Sequence, residues 1–406
     1  MIVSSIEAGL AVAGLSTAAL LLWPKLARNR LWRATITPLA SIIGSGFLIL
    51  GPILTDNFGT WGIAAMALLC LGGYLFGGAI RYNIARLDEQ ERGGLTEARL
   101  SYGLERISSW ALAFAYVISV AYYLNLFGAF AARIFGAPAT DLARIITTLA
   151  YALILIAGMT KGFSLLERME QLTVSVKLII IAALIGALGV HAGVAWETGT
   201  VMQSSARLGP LASIQLLFGL IVTVQGFETS RYLGKHYSAS ERQRSMQLSQ
   251  WISSAIYIAY VILLAWSFTS GSFTLSETAI IDMMRSVSAV LGPLLIIAAL
   301  SAQFSAAVAD TNGSGGLVSE LTHGRLGTKP AYAVLIAAGL ALTWLADVFQ
   351  IVSYASRAFA FYYAVQSVLA AIRARAAGAG GMRIAGFAAL GVLGLAAAIF
   401  GAAVES

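Results

Sequence analysis

Charge is scarce in this chain. Only 11% of its 406 residues are Asp, Glu, Lys or Arg, against about 25% in ordinary soluble domains. That deficit excludes a soluble globular protein, as does a hydrophobic share of 58% with a mean hydropathy of +0.81. Cysteine is almost absent. The single Cys70 lies inside an apolar run, so neither a disulfide framework nor a cysteine metal site can form within the chain. Histidine is nearly as rare. His191, His236 and His323 lie far apart and read as wetted residues near helix ends rather than metal ligands. They form no His-Glu-x-x-His motif, and paired aspartates in facing helices are missing too. The reading is therefore not an enzyme: it calls for no catalytic residue, no metal and no cofactor.

What is there is a series of apolar runs about twenty residues long. Twelve are found, near 5–23, 35–54, 60–81, 107–135, 142–160, 171–190, 210–234, 250–269, 286–321, 331–346, 349–372 and 383–403. The first is no secretory signal. Glu7 stands at its start and Lys25, Arg28, Arg30 and Arg33 follow it, the reverse of a signal peptide. Twelve spans put both termini on one side. With that side outside, 20 of the 26 Lys and Arg fall in inner loops and four in outer ones. This asymmetry orients the chain in the cell (inner) membrane with both termini extracytoplasmic. It also explains the net charge of +7 without nucleic acid. The charged stretch 81–106 is expected to form a short interfacial helix.

Residues 39–52 read LASIIGSGFLILGP, with Gly44-Ser45-Gly46 in the middle of a span. Residues 218–231 read FGLIVTVQGFETSR, with Gln225-Gly226 interrupting another. In hydrocarbon every peptide group needs an internal partner, so a break is tolerated only against protein or a water-filled cavity. Small residues also serve close helix packing. Two breaks in corresponding places point instead to a transport site. They lie five spans apart, so their helices cross in opposite directions. That is the pattern of an inverted five-plus-five repeat. The expected division is 1–30 for an added helix and basic linker, 31–191 for the first repeat, and 192–209 for a connection. The second repeat covers 210–375, and another added helix covers 376–406.

Here the chain resembles a known family. IIGSGFLILGP is similar to the first core helix of amino acid–polyamine–organocation transporters, QGFETSRYLG to the sixth, and VKLIIIAALIG at 176–186 to the fifth. The resemblance implies a LeuT-type inverted-repeat core over about 35–372, all-α, with one extra helix before it and one after. Most members carry two helices after the core. The usual arginine-rich end of the eighth core helix is replaced by TNGSGGLVSELTHG.

Ionisable groups within spans are functional candidates. Lys177 lies eight residues into its span, about 12 Å deep. It either snorkels inward or gains and loses a proton during transport. In some relatives a lysine at the matching position holds its amine where sodium-coupled cousins bind sodium. Lys177 is thus expected to replace sodium, with Asp310 in SAAVADTNGSGG as its partner and Ser305 and Thr311 nearby. Asp310 alternatively caps a kink before the glycine-rich run. Glu228 is expected to cap the amides freed by the second break and to pair with Arg231. Arg357 either closes an outer gate, holds a substrate carboxylate, or snorkels outward. Tyr122, Tyr123 and Asn125 lie mid-span, and one of them is expected to line the cavity. The aromatics Phe359, Phe361, Tyr362 and Tyr363 read as packing.

The expected function is secondary transport of an amino acid or a related amine or acid, proton-coupled or exchanging, by alternating access. The substrate-binding candidates are Ile42, Ile43, Gly44, Ser45, Gly46, Phe47, Tyr122, Val224, Gln225, Gly226 and Phe227. A carboxylate would meet amides near Ser45, Gly46 and Phe47. An ammonium would meet carbonyls near Ile42, Ile43, Val224 and Gln225. The partners are a small amino-acid-like solute, protons and the lipid bilayer. The alternatives are a sodium-coupled carrier, or one for a purine, osmolyte or inorganic ion, on the same fold. A channel is the weaker third.

Overall fold

The computed structural model describes residues 2–93, 99–136, 140–160, 164–199, 204–233 and 237–404. Among them there is helix and no strand. The chain opens with α1 (Ile2–Leu22), the short α2 (Pro24–Ala27), α3 (Arg30–Ser45), α4 (Phe47–Phe58) and α5 (Gly62–Gly93). It continues with α6 (Arg99–Ala132), α7 (Thr140–Thr160) and α8 (Ser164–Glu197). Next come α9 (Pro210–Gly219), two 3-10 turns at Ile221–Val224 and Phe227–Tyr232, α10 (Ala239–Ser267) and α11 (Ala279–Val287). The chain ends with α12 (Leu291–Leu321), α13 (Thr328–Leu345), α14 (Val348–Ala376) and α15 (Gly381–Phe400).

Each of the twelve apolar runs falls on helix. Nine segments among the described residues are long and apolar enough to cross a membrane by themselves. The broken runs at 35–54 and 210–234 do not form single long helices, because Gly46 and Gln225-Gly226 divide them.

Local chemistry sets several of the boundaries. Asn29 caps α3 by accepting from the Trp32 amide at 3.0 Å. Ser238 with Glu241, and Asp347 with Gln350, form capping boxes at the starts of α10 and α14. Gly59, at φ 53°, ends α4 with a backbone that other residues adopt at a cost.

Three expectations need correction. The stretch 81–106 forms no separate interfacial helix among the described residues. Its charged residues extend α5 to Gly93 and α6 back to Arg99, as good helix formers do beyond the apolar core. The run at 286–321 is not one helix either. Ser288 takes an extended backbone after α11, and α12 starts at Leu291. His191 is no wetted loop residue. It lies inside α8, half-buried, 3.1 Å from the Ser267 hydroxyl. His323 sits in the turn after α12, and His236 falls outside the described residues.

Small residues let the helices approach. A Cβ on Gly186 of α8 would lie 2.5 Å from the Gly9 carbonyl of α1, and Gly14 faces Ala183. The order of these contacts makes α1 antiparallel to α8. The bundle ends are tied by charge. At one end Glu105 of α6 accepts from Arg231 and, at 3.3 Å, from Arg373 of α14. At the other, Arg207 straddles the Asp56 carboxylate at 2.8 and 3.0 Å, and Arg133 pairs with Asp282. Gly186→Leu is expected to force α1 off α8 and destabilise the fold by about 1–3 kcal/mol. A lower melting temperature of the purified protein checks this.

Candidate functional site

The two breaks meet in the centre of the bundle. The first is one residue wide. Gly44 and Ser45 still belong to α3, Gly46 leaves it at φ −122°, and α4 begins at Phe47. The second is wider. Gln225 is extended, Gly226 has φ 118°, and 3-10 turns lie on both sides. A Cβ on Gly46 would fall 2.2 Å from Thr223 Cβ, and one on Gly226 would fall 2.5 Å from Ser41 Oγ. Only glycine permits both contacts, so the glycines serve the approach as well as the break.

A break releases peptide groups that must find partners. Side chains from three other helices, and Glu228 beside the second break, supply them. The Tyr257 hydroxyl of α10 lies 3.0 Å from the Ile42 carbonyl and 2.7 Å from the Thr223 carbonyl. Its one proton is thus shared between the two broken segments. Gln303 of α12 donates to the Gly44 carbonyl at 3.2 Å. The Val222 amide donates to Ser356 of α14 at 3.0 Å. The Gly226 amide donates to the Glu228 carboxylate at 3.0 Å, and Tyr363 of α14 donates to the same oxygen at 3.0 Å. Gln225 donates to the Tyr123 hydroxyl of α6 at 2.6 Å.

Lys177 of α8 is 4% exposed, and its ammonium donates to the Ala40 carbonyl of α3 at 2.7 Å. It fills a notch over Gly44, where an added Cβ would stand 3.2 Å from Nζ and 3.9 Å from the Ala302 carbonyl. The expected ion pair with Asp310 does not form. The Asp310 carboxylate, on α12, accepts instead from Ser119 of α6. Thr311 returns its hydroxyl to the Ala307 carbonyl in its own helix at 2.7 Å, the bond available to a threonine one turn on. Arg231 does not pair with Glu228 either. Its 3-10 turn sends the guanidinium to Glu105, away from the break. Two buried carboxylates, Glu228 and Asp310, therefore face the bundle interior with no cationic partner among the described residues.

Other candidates fall in varied places. Phe47 stacks on Tyr260 with centroids 4.3 Å apart, and Phe227 stacks on Tyr363 at 5.2 Å. Val224 and Ile43 are buried in the core. The Ile42 carbonyl, expected to receive a ligand ammonium, is taken by Tyr257. Tyr122 is buried against Tyr123, and it is Tyr123 that reaches Gln225. Asn125 turns to Thr343 of α13 at 2.8 Å. Arg357 is no part of this centre. It is exposed on the outside of α14 and donates to the Ala398 carbonyl of α15 at 2.8 Å, so neither a gate nor a substrate clamp is formed there. Tyr257, Gln303, Ser119 and Ser356 were missed in the sequence. Their only signal is polarity in mid-span, with Tyr257 and Tyr260 spaced three apart on one helix face.

Three buried acceptor oxygens near the breaks meet no donor: Gln225 Oε1, Glu228 Oε1 and Gln303 Oε1. Interrupted helices that meet in this way are the arrangement a membrane carrier would use. A family model described as APC superfamily transporter matches residues 24–401. The chain belongs to the APC superfamily of transporters. An uncharacterized protein of Aquifex aeolicus is 42% identical over 352 residues, covering 86% of this chain and 85% of that one. Two mutant crystal structures of the manganese transporter of Eremococcus coleocola share the fold. Each has a TM-score of 0.59 at 15% identity, over 95% of this chain and 90% of that one.

Tyr257→Phe keeps the ring and removes the shared proton, so the Ile42 and Thr223 carbonyls both lose the bond from Tyr257. It is expected to destabilise the protein by about 1–3 kcal/mol. Denaturation of the wild type and variant side by side measures it.

Proposed function

We propose that this chain is a secondary active transporter of a small amine-bearing solute, amino-acid-like, coupled to protons and independent of sodium. The proposed architecture is twelve spanning helices, with LeuT-type repeats at 31–191 and 210–375 and added helices at 1–30 and 376–406. The basic loops argue for both termini outside the inner membrane.

One observation carries the reading. The Lys177 ammonium is bonded to the Ala40 carbonyl of α3, less than two turns before the Gly46 break. A fixed ammonium at this place does the work of a bound cation, holding α3 to α8. Losing its proton would weaken that hold and free the broken helix to rock against its neighbours. The amide oxygens of Gln225 and Gln303 and the carboxylates of Glu228 and Asp310 favour a cargo that brings N–H donors and positive charge. The α4 start has no side-chain cap, which suits a carboxylate on the same cargo.

A metal cargo like that of the manganese transporters is the second reading. Manganese prefers carboxylate, carbonyl and water oxygens. The breaks themselves carry Gly44-Ser45-Gly46 and Gln225-Gly226, with Glu228 beside them. The described residues hold no group of three His, Cys, Asp or Glu fit for a metal. The organic amine is the better match.

A thermal-shift screen of amino acids and amines chooses the probe, since a ligand of the folded state raises its melting temperature. Uptake of that probe into proteoliposomes is expected to follow an imposed pH gradient and to survive replacement of sodium by choline. Lys177→Ala should fold, bind the probe and lose gradient-driven uptake. Sodium-dependent uptake, or normal pH-driven uptake in the variant, refutes the coupling.

A further inference from the structure

Glu228 and Asp310 are alike in burial and unlike in donors. Neither is more than 3% exposed. Glu228 Oε2 receives two donors, the Gly226 amide and the Tyr363 hydroxyl, each at 3.0 Å. Among the described residues Asp310 meets Ser119 alone. That hydroxyl also lies 3.1 Å from the Tyr116 carbonyl, three residues back in α6. A serine has one proton to donate, and here it stands between two acceptors. A proton on Asp310 completes the chain: Asp310 donates to Ser119, and Ser119 donates to Tyr116.

The charged groups nearby are engaged elsewhere. Arg231, on the Glu228 turn, bonds Glu105, and Arg242 of α10 bonds the Arg231 carbonyl at 2.8 Å. Lys177 of α8 bonds Ala40. From α13 the Tyr332 hydroxyl turns to Asn312 at 3.2 Å. The other titratable neighbours are phenols: Tyr116 and Tyr123 of α6, Tyr232 beside Arg231, and Tyr362 and Tyr363 of α14. Tyr116 stands within electrostatic reach of both carboxylates, and Asp310 within reach of Glu228. One face of α6 joins Asp310 to the second break. Ser119 reaches Asp310, and Tyr123, one turn on, reaches Gln225. Two buried carboxylates this near each other do not both stay charged without a cation.

We propose that Asp310 carries a proton and donates it to Ser119, while Glu228 stays ionised and receives the positive group of the cargo. The receiving role rests on the carrier reading; the proton on Asp310 does not. A cation at Glu228 also favours the ionised form of Asp310. The Asp310 O–H bond then breaks, its electron pair stays on the carboxylate, and the proton passes to bulk water. Loading thus exchanges one proton for one cation.

The rival is an ionised Asp310 with the Ser119 proton split between its two acceptors. Infrared spectra of the full-length protein in detergent, at neutral pH and without cargo, separate the two, because a neutral carboxyl absorbs apart from carboxylates and amides. The wild type should show this band, Asp310→Asn should lose it, and Glu228→Gln should keep it. Asp310→Asn preserves the shape and the donor of a neutral acid, so it should melt close to the wild type. If it does not fold, Asp310→Glu supplies the second reading and should move the band. A wild type without the band, or a band unchanged in Asp310→Asn and Asp310→Glu, would overturn the proposal. A band lost in Glu228→Gln alone would overturn it as well, since the proton would then sit on Glu228. Methylammonium chloride should shrink the wild-type band, and sodium chloride should not. A band that methylammonium leaves unmoved would overturn the exchange. A band assigned to Asp310 in a protein that takes up no amine would contradict the carrier reading and leave the proton in place.

Discussion

The structure depends on one constraint: peptide groups freed inside a bilayer must be bonded within the protein. Unbroken helices satisfy it by themselves. This chain breaks two of them, at Gly46 and at Gln225-Gly226, and answers with side chains from elsewhere. Tyr257, Gln303, Ser356, Glu228 and Lys177 each take a group that the breaks release, or one within a turn or so of them. The resulting lattice joins α3 and the second break to α8, α10, α12 and α14. The broken pair of helices is therefore tied by side chains to four others.

Such a lattice suits a carrier. Hydrogen bonds to tyrosine, glutamine and lysine can be exchanged for bonds to a solute without exposing peptide groups to lipid. The acceptors left without donors lie beside groups already engaged, so the proposed cargo with N–H groups would complete a network that is largely formed. Charge pairs tie both ends of the bundle, Glu105 with Arg231 and Asp56 with Arg207. Alternating access would open these ends in turn while the central lattice rearranges.

Much of the architecture was legible in the sequence, because period, length and charge asymmetry report helices in lipid directly. The breaks were legible too, because glycine interrupts two spans in corresponding places, although glycine elsewhere, as at Gly186, serves close packing. Boundaries were less so. The ends of α5 and α6 run on through charged residues that hydropathy assigns to a loop, and Ser288 ends α11 without any strong turn signal. Partners were the least legible. Whether Lys177 meets Asp310 or Ala40 depends on helix rotation and on a few ångströms of axial shift, which composition does not encode. Arg357 was read as an outer gate, a substrate clamp or an outward-snorkelling charge, and its place along the span says nothing about which face of α14 it occupies. Tyr257 could not be told from a packing tyrosine, because its role depends on two carbonyls distant in sequence.

The central claim is that one hydroxyl holds both broken segments at once. Hydrogen–deuterium exchange of peptides covering 41–47 and 222–227 tests it most directly, comparing wild type with Tyr257→Phe. The account predicts faster exchange in both segments together. Faster exchange in one alone, or in neither, would contradict it.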